Sequence, residues 1–525
     1  MEDENSGISR GASEECRPLS CDFRGWGFAS WVEVCARRAF VTRWMVAWLC
    51  LILPRGVPGQ EARFELGERL RVFEIAWEGQ PDARARARSV PHLNNAVRAF
   101  FTLRWEQAAH SIDRARFAVQ AEADPSASVA WATALSLRPA TRLVDRAAGG
   151  LEITLAPFYK VQAGVPEKAA VDLALCDGEG KTVAAAEGDV LNLPWRGNLR
   201  WDGIAEGDYR LMAEVVVDQD RVALCPQTIS IVANPAGRLK QIESALRQFE
   251  AQPKTTQRAT LAAQASILRS LLAKETLETN YPAARLLDEL EAAIAVVSSG
   301  GEYYGKGRPG EFWITLANEH GSVPARLMAP PSAARGKPLP LVIAFHGAGG
   351  SENMFFDAYG NGKIVELCRR RGWLLVAPRL SFWGLGMPPD CVLAEIAQLY
   401  PVDKRQVFLV GHSMGAMQAI SLAQRLSEPV AAVAAISGGG RVGKTGPWTS
   451  TAFQVIAGDQ DFALPAARRL AQDLRAAGVD EVRFLECRDA EHLLVVQAAL
   501  DDVFAFFDEI ATKRSKTRPA VPTER

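Results

Sequence analysis

The sequence lacks the features that mark several broad classes of protein. Its nine cysteines form no Cys-x-x-Cys pair, which disfavours a zinc site. The 60 lysines and arginines are matched by 61 aspartates and glutamates, so no broad basic field is available for nucleic acid. The apolar run at 45–53 is too short to span a bilayer as a stable anchor. We therefore expect no metal, no nucleic-acid partner and no stable membrane anchor.

The most informative feature that is present is Gly411-His412-Ser413-Met414-Gly415, which directly follows the apolar run 407–410. A strand that ends in G-x-S-x-G and continues into a helix forms a nucleophile elbow, in which the serine sits on a strained turn with its hydroxyl clear of the sheet. Gly411 and Gly415 are predicted to let the strand and the helix approach closely. Because 42 of the 525 residues are glycine, the motif alone would arise by chance about 0.2 times in a chain of this composition, and other parts of the site must support it.

A serine nucleophile needs a base that takes its proton. The chain has six histidines, and His492 is the one that follows Ser413. In folds with this elbow the order along the chain is serine, acid and then histidine, which makes His492 the predicted base. It lies in the predicted loop that follows a predicted strand at 482–485.

The acid that orients the base must lie between the serine and the histidine. Asp459 and Asp461 follow a predicted buried strand at 451–457, at the end of the strand where α/β sheets place their chemistry. Asp489 and Glu491 are weaker alternatives, because they are too close to His492 in sequence to face it easily. The residues alone leave both Asp459 and Asp461 open.

Hydrolysis of an acyl group also needs backbone N–H groups that stabilise the oxyanion. Met414, directly after the nucleophile, is predicted to supply one of them. The second is predicted to come from the glycine-rich loop 346–350, from Ala348 or alternatively from Gly347. This loop has neither the G-x-G-x-x-G spacing nor the lysine of a nucleotide-phosphate loop, which disfavours a nucleotide site.

Strands alternate with helices between about 302 and 512, which predicts an α/β fold with a mostly parallel sheet and helices on both faces. Two leading antiparallel strands are predicted at 312–316 and 324–328. Within these limits the chain resembles the α/β-hydrolases of the polyhydroxybutyrate-depolymerase, feruloyl-esterase and prolyl-oligopeptidase-like group. The residues that carry the resemblance are His346-Gly347-Ala348-Gly349-Gly350, Val402-Asp403-Lys404-Arg405-Gln406-Val407 before the elbow, Gly458-x-x-Asp461, and His492.

The resemblance implies a serine hydrolase with a Ser413–Asp461–His492 triad and no metal or organic cofactor. It favours Asp461 as the acid because Gly-x-x-Asp followed by Pro465 resembles the pattern of these hydrolases, and it leaves Asp459 to cap the turn. The loop 381–389 is shorter than the aromatic loop of the group, and Trp383 within it is predicted to contact the substrate, with a packed tryptophan as the alternative. His412, beside the nucleophile, is also predicted to contact the substrate.

The amino-terminal half contains no catalytic constellation. Residues 62–125 are predicted to be helical, with Leu66, Leu70, Phe73 and Trp77 on one buried face. Residues 126–234 alternate with a period of two and predict an immunoglobulin-like β-sandwich with strands at 151–158, 170–176, 209–217 and 228–232. Residues 235–300 return to a helical pattern, and the two helical segments are expected to pack together as one unit.

Both ends of the chain carry their own predictions. Residues 1–60 are predicted to be a leader, because Arg37-Arg38-Ala39-Phe40-Val41 resembles a twin-arginine export motif and precedes the apolar run, with cleavage near Gln60. Such a leader predicts export to the periplasm or the extracellular space. Residues 513–525 are predicted to be a disordered tail. The sequence leaves open whether Cys176 and Cys225, both in the β-rich segment, form a disulfide.

These features predict an exported serine hydrolase that cleaves carboxylic esters in a small-molecule or polymeric substrate. A serine peptidase with the same three residues is an alternative. A non-catalytic binding protein on a hydrolase scaffold is a second alternative, which the presence of serine, acid and histidine disfavours. The oligomeric state is not predicted.

Overall fold

The computed structural model describes residues 58–161, 166–381 and 384–516. Residues 1–57 of the predicted leader 1–60, Trp383 and residues 517–525 lie outside these ranges. The leader and its twin-arginine motif therefore stay predictions.

Three helices begin the described chain and match the predicted helical segment. They are α1 (Pro58–Glu78), α2 (Ala83–Phe101) and α3 (Trp105–Gln120), followed by the short α4 (Ala127–Thr133). The predicted apolar face of α1 is buried, with Phe73 fully buried. The chain breaks between α2 and α3, where Leu103 adopts a left-handed backbone conformation with φ of 59°. Helical spacing continues across this break, so the sequence does not reveal it.

Nine strands follow in the described residues and form two sheets. They are β1 (Leu135–Pro139), β2 (Leu143–Asp145), β3 (Gly150–Pro157), β4 (Ala169–Cys176), β5 (Thr182–Asp189), β6 (Trp195–Arg200), β7 (Gly207–Val217), β8 (Asp220–Ala223) and β9 (Gln227–Val232). The strand orders are β1-β3-β6 and β2-β9-β7-β4-β5, with β8 paired to β7. Apolar side chains from both sheets, such as Leu155 from the first and Val171 from the second, belong to one buried cluster. The two sheets therefore share a core, while the closer likeness to an immunoglobulin domain stays a prediction.

A second group of helices leads into the carboxyl-terminal domain. It consists of α5 (Pro235–Leu246), α6 (Thr256–Leu272) and α7 (Ala283–Ser298). The sequence predicted that these helices pack with α1–α3 as one unit. This prediction is wrong, because the two groups belong to different cores. Leu261 and Leu287 belong to the cluster that covers one face of the carboxyl-terminal sheet, whereas Phe73 and Leu93 of the first group pack in a separate cluster that includes Leu494.

The carboxyl-terminal domain is built on an eight-stranded sheet. Its strands are β10 (Gly310–Asn318), β11 (Gly321–Ala329), β12 (Leu339–Phe345), β13 (Leu374–Pro378), β14 (Val402–His412), β15 (Ala432–Ile436), β16 (Ala452–Gly458) and β17 (Val482–Cys487). The strand order is β10-β11-β13-β12-β14-β15-β16-β17. β10 and β11 pair antiparallel and β11 pairs antiparallel with β13, while all other pairs in this sheet are parallel. The predicted mixed sheet with two leading antiparallel strands is confirmed.

Helices cover both faces of this sheet. They are α8 (Met354–Asp357), α9 (Tyr359–Arg371), α10 (Pro389–Leu399), α11 (Met414–Arg425), α12 (Leu464–Ala476) and α13 (Leu494–Lys516). Along β12, Leu341 and Ile343 face one buried cluster, which includes α11 and α12, and Val342 and Ala344 face the other, which includes α9 and α13. This alternation follows from the two-residue period of a strand and explains why β12 is an unbroken apolar run.

Three further observations bear on the predictions. α13 continues to Lys516, so the tail predicted from residue 513 begins no earlier than residue 517. Cys176 and Cys225 are free thiols, with no disulfide between them. Among the described residues, no helix is both long and apolar enough to cross a membrane.

Candidate active site

The turn between β14 and α11 carries Ser413 in a strained conformation. Ser413 has a φ of 54° and a ψ of −113°, which only a few non-glycine residues adopt, and its backbone N–H donates to the Ile436 carbonyl at 2.9 Å. A Cβ atom on Gly411 would lie 2.2 Å from the Gly415 carbonyl oxygen. A Cβ atom on Gly415 would lie 1.9 Å from the Phe345 carbonyl oxygen. Both glycines are therefore required by the close approach of α11 to β14 and β12.

The structure brings together the three side chains that the sequence singled out. The Ser413 Oγ lies 3.0 Å from His492 Nε2, and His492 Nδ1 lies 2.9 Å from Asp461 Oδ1. Because a carboxylate oxygen can only accept, His492 Nδ1 carries the proton of the neutral ring, and Nε2 can accept the Ser413 hydroxyl proton. His492 and Asp461 are buried, with 2 % and 5 % of their surfaces exposed.

The geometry separates the four acids that the sequence left as candidates. Asp461 contacts the His492 ring, whereas Asp459 accepts a hydrogen bond from the Ala490 N–H at 3.4 Å. The Glu491 carboxylate accepts from the N–H groups of Leu493 and Leu494 and so caps the start of α13. Among the described residues, Asp461 is thus the carboxylate placed to orient His492.

The surroundings of Asp461 favour its ionised form. Burial alone would raise its pKa, but the hydrogen bond and charge of His492, the nearby Ser437 hydroxyl and the hydrogen bond from the Ala463 N–H together lower the pKa of Asp461 below its ordinary value. Ser437 is buried at the end of β15, beside the elbow, and has a left-handed φ of 52°. No sequence signal points to Ser437, because a serine after a strand has no distinctive pattern.

The loop after β12 lies beside the nucleophile. A Cβ atom on Gly347 would lie 3.4 Å from the Ser413 Cβ, so the backbone here comes close to the elbow. His346 is buried and holds the loop: its Nε2 accepts from the Leu380 N–H at 2.8 Å, and its Nδ1 donates to the Gly347 carbonyl at 2.8 Å. Burial lowers the pKa of His346 to about 4, which keeps the ring neutral and this pattern fixed.

The two predicted oxyanion donors are not used elsewhere. Within the described parts of the chain, neither the Met414 N–H nor the Ala348 N–H donates to a protein acceptor. Met414 is the first residue of α11, where the N–H groups have no partner within the helix and the helix dipole favours negative charge. The choice of Ala348 over Gly347 as the second donor stays a prediction.

His412, which was predicted to contact the substrate, is buried and has no free ring nitrogen. It is only 2 % exposed, and both ring nitrogens have protein partners: Nδ1 lies 2.6 Å from the Tyr359 hydroxyl and Nε2 lies 2.8 Å from the His492 carbonyl oxygen. The pattern failed here because the position between glycine and serine faces the protein interior. The second predicted substrate residue, Trp383, lies outside the described residues.

An exposed aromatic ring lies next to the base. Phe462 follows Asp461 directly and is 64 % exposed, which is unusual for such a large apolar side chain. Its ring centroid lies 4.2 Å from that of His492, with 31° between the ring planes. It is an apolar contact surface that the sequence analysis did not identify.

No group of three or more histidine, cysteine, aspartate or glutamate side chains is arranged for a metal ion in the described ranges. What the site offers is a hydroxyl, an imidazole placed to accept its proton, an ionised carboxylate and unpartnered backbone N–H groups. These are the components of nucleophilic acyl transfer.

Comparison with known proteins agrees with this fold. The alpha/beta hydrolase family model matches residues 341–523. Among solved structures, a ferulic acid esterase is 19 % identical, with a TM-score of 0.33, and covers 39 % of this chain and 98 % of its own. A feruloyl esterase module from Clostridium thermocellum is 15 % identical, with a TM-score of 0.33, covering 39 % and 89 %. An S-formylglutathione hydrolase from Agrobacterium tumefaciens is 15 % identical, with a TM-score of 0.32, covering 38 % and 96 %.

At these identities and TM-scores, the solved structures say nothing about the substrate. A search of curated proteins finds no significant match. The family match, together with the order and pairing of the strands, identifies the carboxyl-terminal part of this chain as an α/β-hydrolase domain.

Proposed function

We propose that this chain is a serine hydrolase that cleaves carboxylic esters through an acyl-enzyme. The observation that carries the proposal is the unbroken hydrogen-bond path from the Ser413 hydroxyl through His492 to Asp461. The export predicted from the leader would place this activity in the periplasm or outside the cell, and it stays a prediction.

In the first half of the reaction, the Ser413 Oγ attacks the carbonyl carbon of the ester and forms a C–O bond. Its proton passes to His492 Nε2, and the resulting imidazolium is stabilised by the ionised Asp461. The carbonyl oxygen becomes an oxyanion, which accepts hydrogen bonds from the Met414 and Ala348 N–H groups. The bond to the leaving alcohol then breaks, and His492 Nε2 gives its proton to the alcohol oxygen.

In the second half, water takes the place of the serine as nucleophile. His492 Nε2 accepts a proton from the water as its oxygen bonds to the acyl carbon. Collapse of this intermediate breaks the bond to Ser413 Oγ, which takes back a proton from His492. The acid is released, and the enzyme returns to its starting state without a cofactor.

The proposal is tested by comparing two classes of chromogenic substrate on the purified full chain. We expect turnover of p-nitrophenyl acetate and little or no turnover of aminoacyl p-nitroanilides. If the protein hydrolysed the anilides as fast as the ester, it would instead be assigned as a peptidase. Failure to hydrolyse either class, together with no covalent labelling by a fluorophosphonate, would favour the non-catalytic alternative.

We further propose that Phe462 contacts the apolar part of the substrate, since it is the exposed apolar ring beside the base. The change Phe462→Ala is expected to lower kcat/KM for p-nitrophenyl octanoate by about tenfold, equivalent to about 1.4 kcal/mol, chiefly through a higher KM. Phe462→Leu, which keeps an apolar side chain, should retain most of the activity. An equal loss with acetate and octanoate would mean that Phe462 acts by packing on His492 and not by binding substrate.

A further inference from the structure

An unusual left-handed turn begins α9. Tyr359, Gly360, Asn361 and Gly362 have φ values of 51°, 81°, 54° and 75°. A left-handed conformation costs free energy in residues with a Cβ atom, such as Tyr359 and Asn361. A turn of this kind persists only where the surrounding structure holds it in place.

Glu74 of α1 supplies that support. Its Oε1 accepts from the Tyr359 N–H at 3.1 Å, and its Oε2 accepts from the Gly360 N–H at 3.2 Å. The Asn361 N–H also faces this carboxylate. Glu74 is 3 % exposed, and burial raises its pKa to about 7, while the N–H groups of the turn favour its ionised form. Its carboxyl group fills the concave surface formed by successive backbone N–H groups. The partners are 285 residues apart in sequence, and Glu74 lies outside the matched family region.

The side chain of Tyr359 connects this turn to the candidate active site. The ring is buried and packs edge-on against His412, with 5.3 Å between centroids. The His492 carbonyl can only accept, so His412 Nε2 carries a proton and donates to it at 2.8 Å. Burial lowers the pKa of His412 to about 3, so the ring is neutral, and its Nδ1 accepts from the Tyr359 hydroxyl at 2.6 Å.

Glu74 also contacts the segment that follows the base. Its backbone carbonyl accepts from Gln497 Nε2 at 3.1 Å, and Gln497 lies in the first turn of α13, five residues after His492. One residue of α1 thus holds two segments of the hydrolase domain: the turn that carries Tyr359, and the helix that begins directly after His492.

We propose that Glu74 is a positioning residue for the hydrolase, which fixes the left-handed turn and, through Tyr359 and His412, the main chain of His492. This inference rests on the proposed function of Ser413 and His492. Helix α1, for which no role could be predicted from the sequence, thereby becomes part of the support of the active site.

The test compares Glu74→Gln with Glu78→Gln in the full chain. Glu78 lies one turn further along α1 and contacts Lys363 and Gln497, but not the turn. Glu74→Gln would keep one oxygen that can accept from the turn, but it would turn an NH₂ group, which cannot accept, toward the other backbone N–H. We expect it to lower kcat for p-nitrophenyl acetate about 10-fold to 100-fold, as a displaced catalytic group does, with KM changed less than about twofold. Glu78→Gln should keep both constants within about twofold of the parent.

Tyr359→Phe provides a second variant that leaves the Glu74 contacts in place. We expect a fall in kcat of the same order, and a double variant that loses less than the product of the two single losses, because both act through one chain of contacts. All variants are compared at a temperature at which circular dichroism shows them folded. Should Glu74→Gln fail to fold, the kcat and KM of Tyr359→Phe decide the question.

Three outcomes would overturn the inference while the parent protein remains an active esterase. These are a Glu74→Gln variant as active as Glu78→Gln, a Tyr359→Phe variant with unchanged kcat, and losses in the double variant that simply multiply. A parent protein that hydrolyses no ester would instead refute the proposed function itself, and the inference with it.

Discussion

Replacement of Ser413 by alanine is expected to lower kcat for p-nitrophenyl acetate by about 10⁵-fold to 10⁶-fold, since loss of the nucleophile removes the acyl-enzyme route entirely. The change deletes the Oγ that lies 3.0 Å from His492 Nε2 and leaves the glycines of the elbow in place. Residual hydrolysis would come from the oxyanion donors and substrate binding. The measurements are steady-state kinetics and the mass of the protein after reaction with a fluorophosphonate.

Ser421→Ala is the matched control, because Ser421 lies on the same helix, two turns beyond the elbow. The parent and the control should gain the mass of one phosphonyl group, on the peptide that contains Ser413. The Ser413→Ala variant should gain none. Labelling that persists at full stoichiometry in this variant would show that another residue is the nucleophile.

Replacement of Asp461 by asparagine is expected to lower kcat by about 10⁴-fold with little change in the fold. The carboxylate accepts from His492 Nδ1 at 2.9 Å and from the Ala463 N–H at 2.8 Å. Both bonds go to the same oxygen, Oδ1. An asparagine with its oxygen at this position lacks the charge that stabilises the imidazolium, and one with its NH₂ group there forces the His492 proton onto Nε2, which then cannot accept from Ser413. The same ester assay measures the loss.

Asp459→Asn serves as the comparison, because Asp459 lies two residues earlier in the same loop and bonds to the backbone of Ala490 instead of to His492. Its kcat should stay within about threefold of the parent, the range expected for a residue outside the reacting groups. If Asp459→Asn were the more damaging change, the acid would be Asp459.

Much of the carboxyl-terminal domain could be predicted because its signals are local. The unbroken apolar strands, the glycines around Ser413 and the position of His492 after it all follow from short stretches of sequence. Both glycines have a direct physical reason, since a Cβ atom on Gly411 would overlap the Gly415 carbonyl and one on Gly415 would overlap the Phe345 carbonyl. The choice of Asp461 needed the resemblance to known hydrolases, as Asp459 has the same local setting.

The parts that could not be predicted depend on contacts between distant segments. β5 alternates between half-buried and exposed residues and contains three consecutive alanines, so it has little of the apolar pattern that identifies a strand. Nothing near Tyr359 indicates a left-handed turn at a tyrosine, because its support comes from Glu74 on another helix. His412 was misassigned for the same reason, since its partners are Tyr359 and the His492 carbonyl.

The order of strands in the hydrolase sheet has a consequence for work with fragments of this protein. The family match begins at Leu341, yet β10 and β11 precede it, and β11 pairs along Ala325–Met328 with β13. A fragment cut at the start of the family match would leave the hydrogen-bonding groups of β13 as a bare strand edge, which invites self-association and amyloid-like stacking. Helices α5–α7 also cover one face of this sheet, so expression of the hydrolase domain alone should begin before Pro235, and aggregation of a shorter piece would reflect the opened edge or the uncovered face.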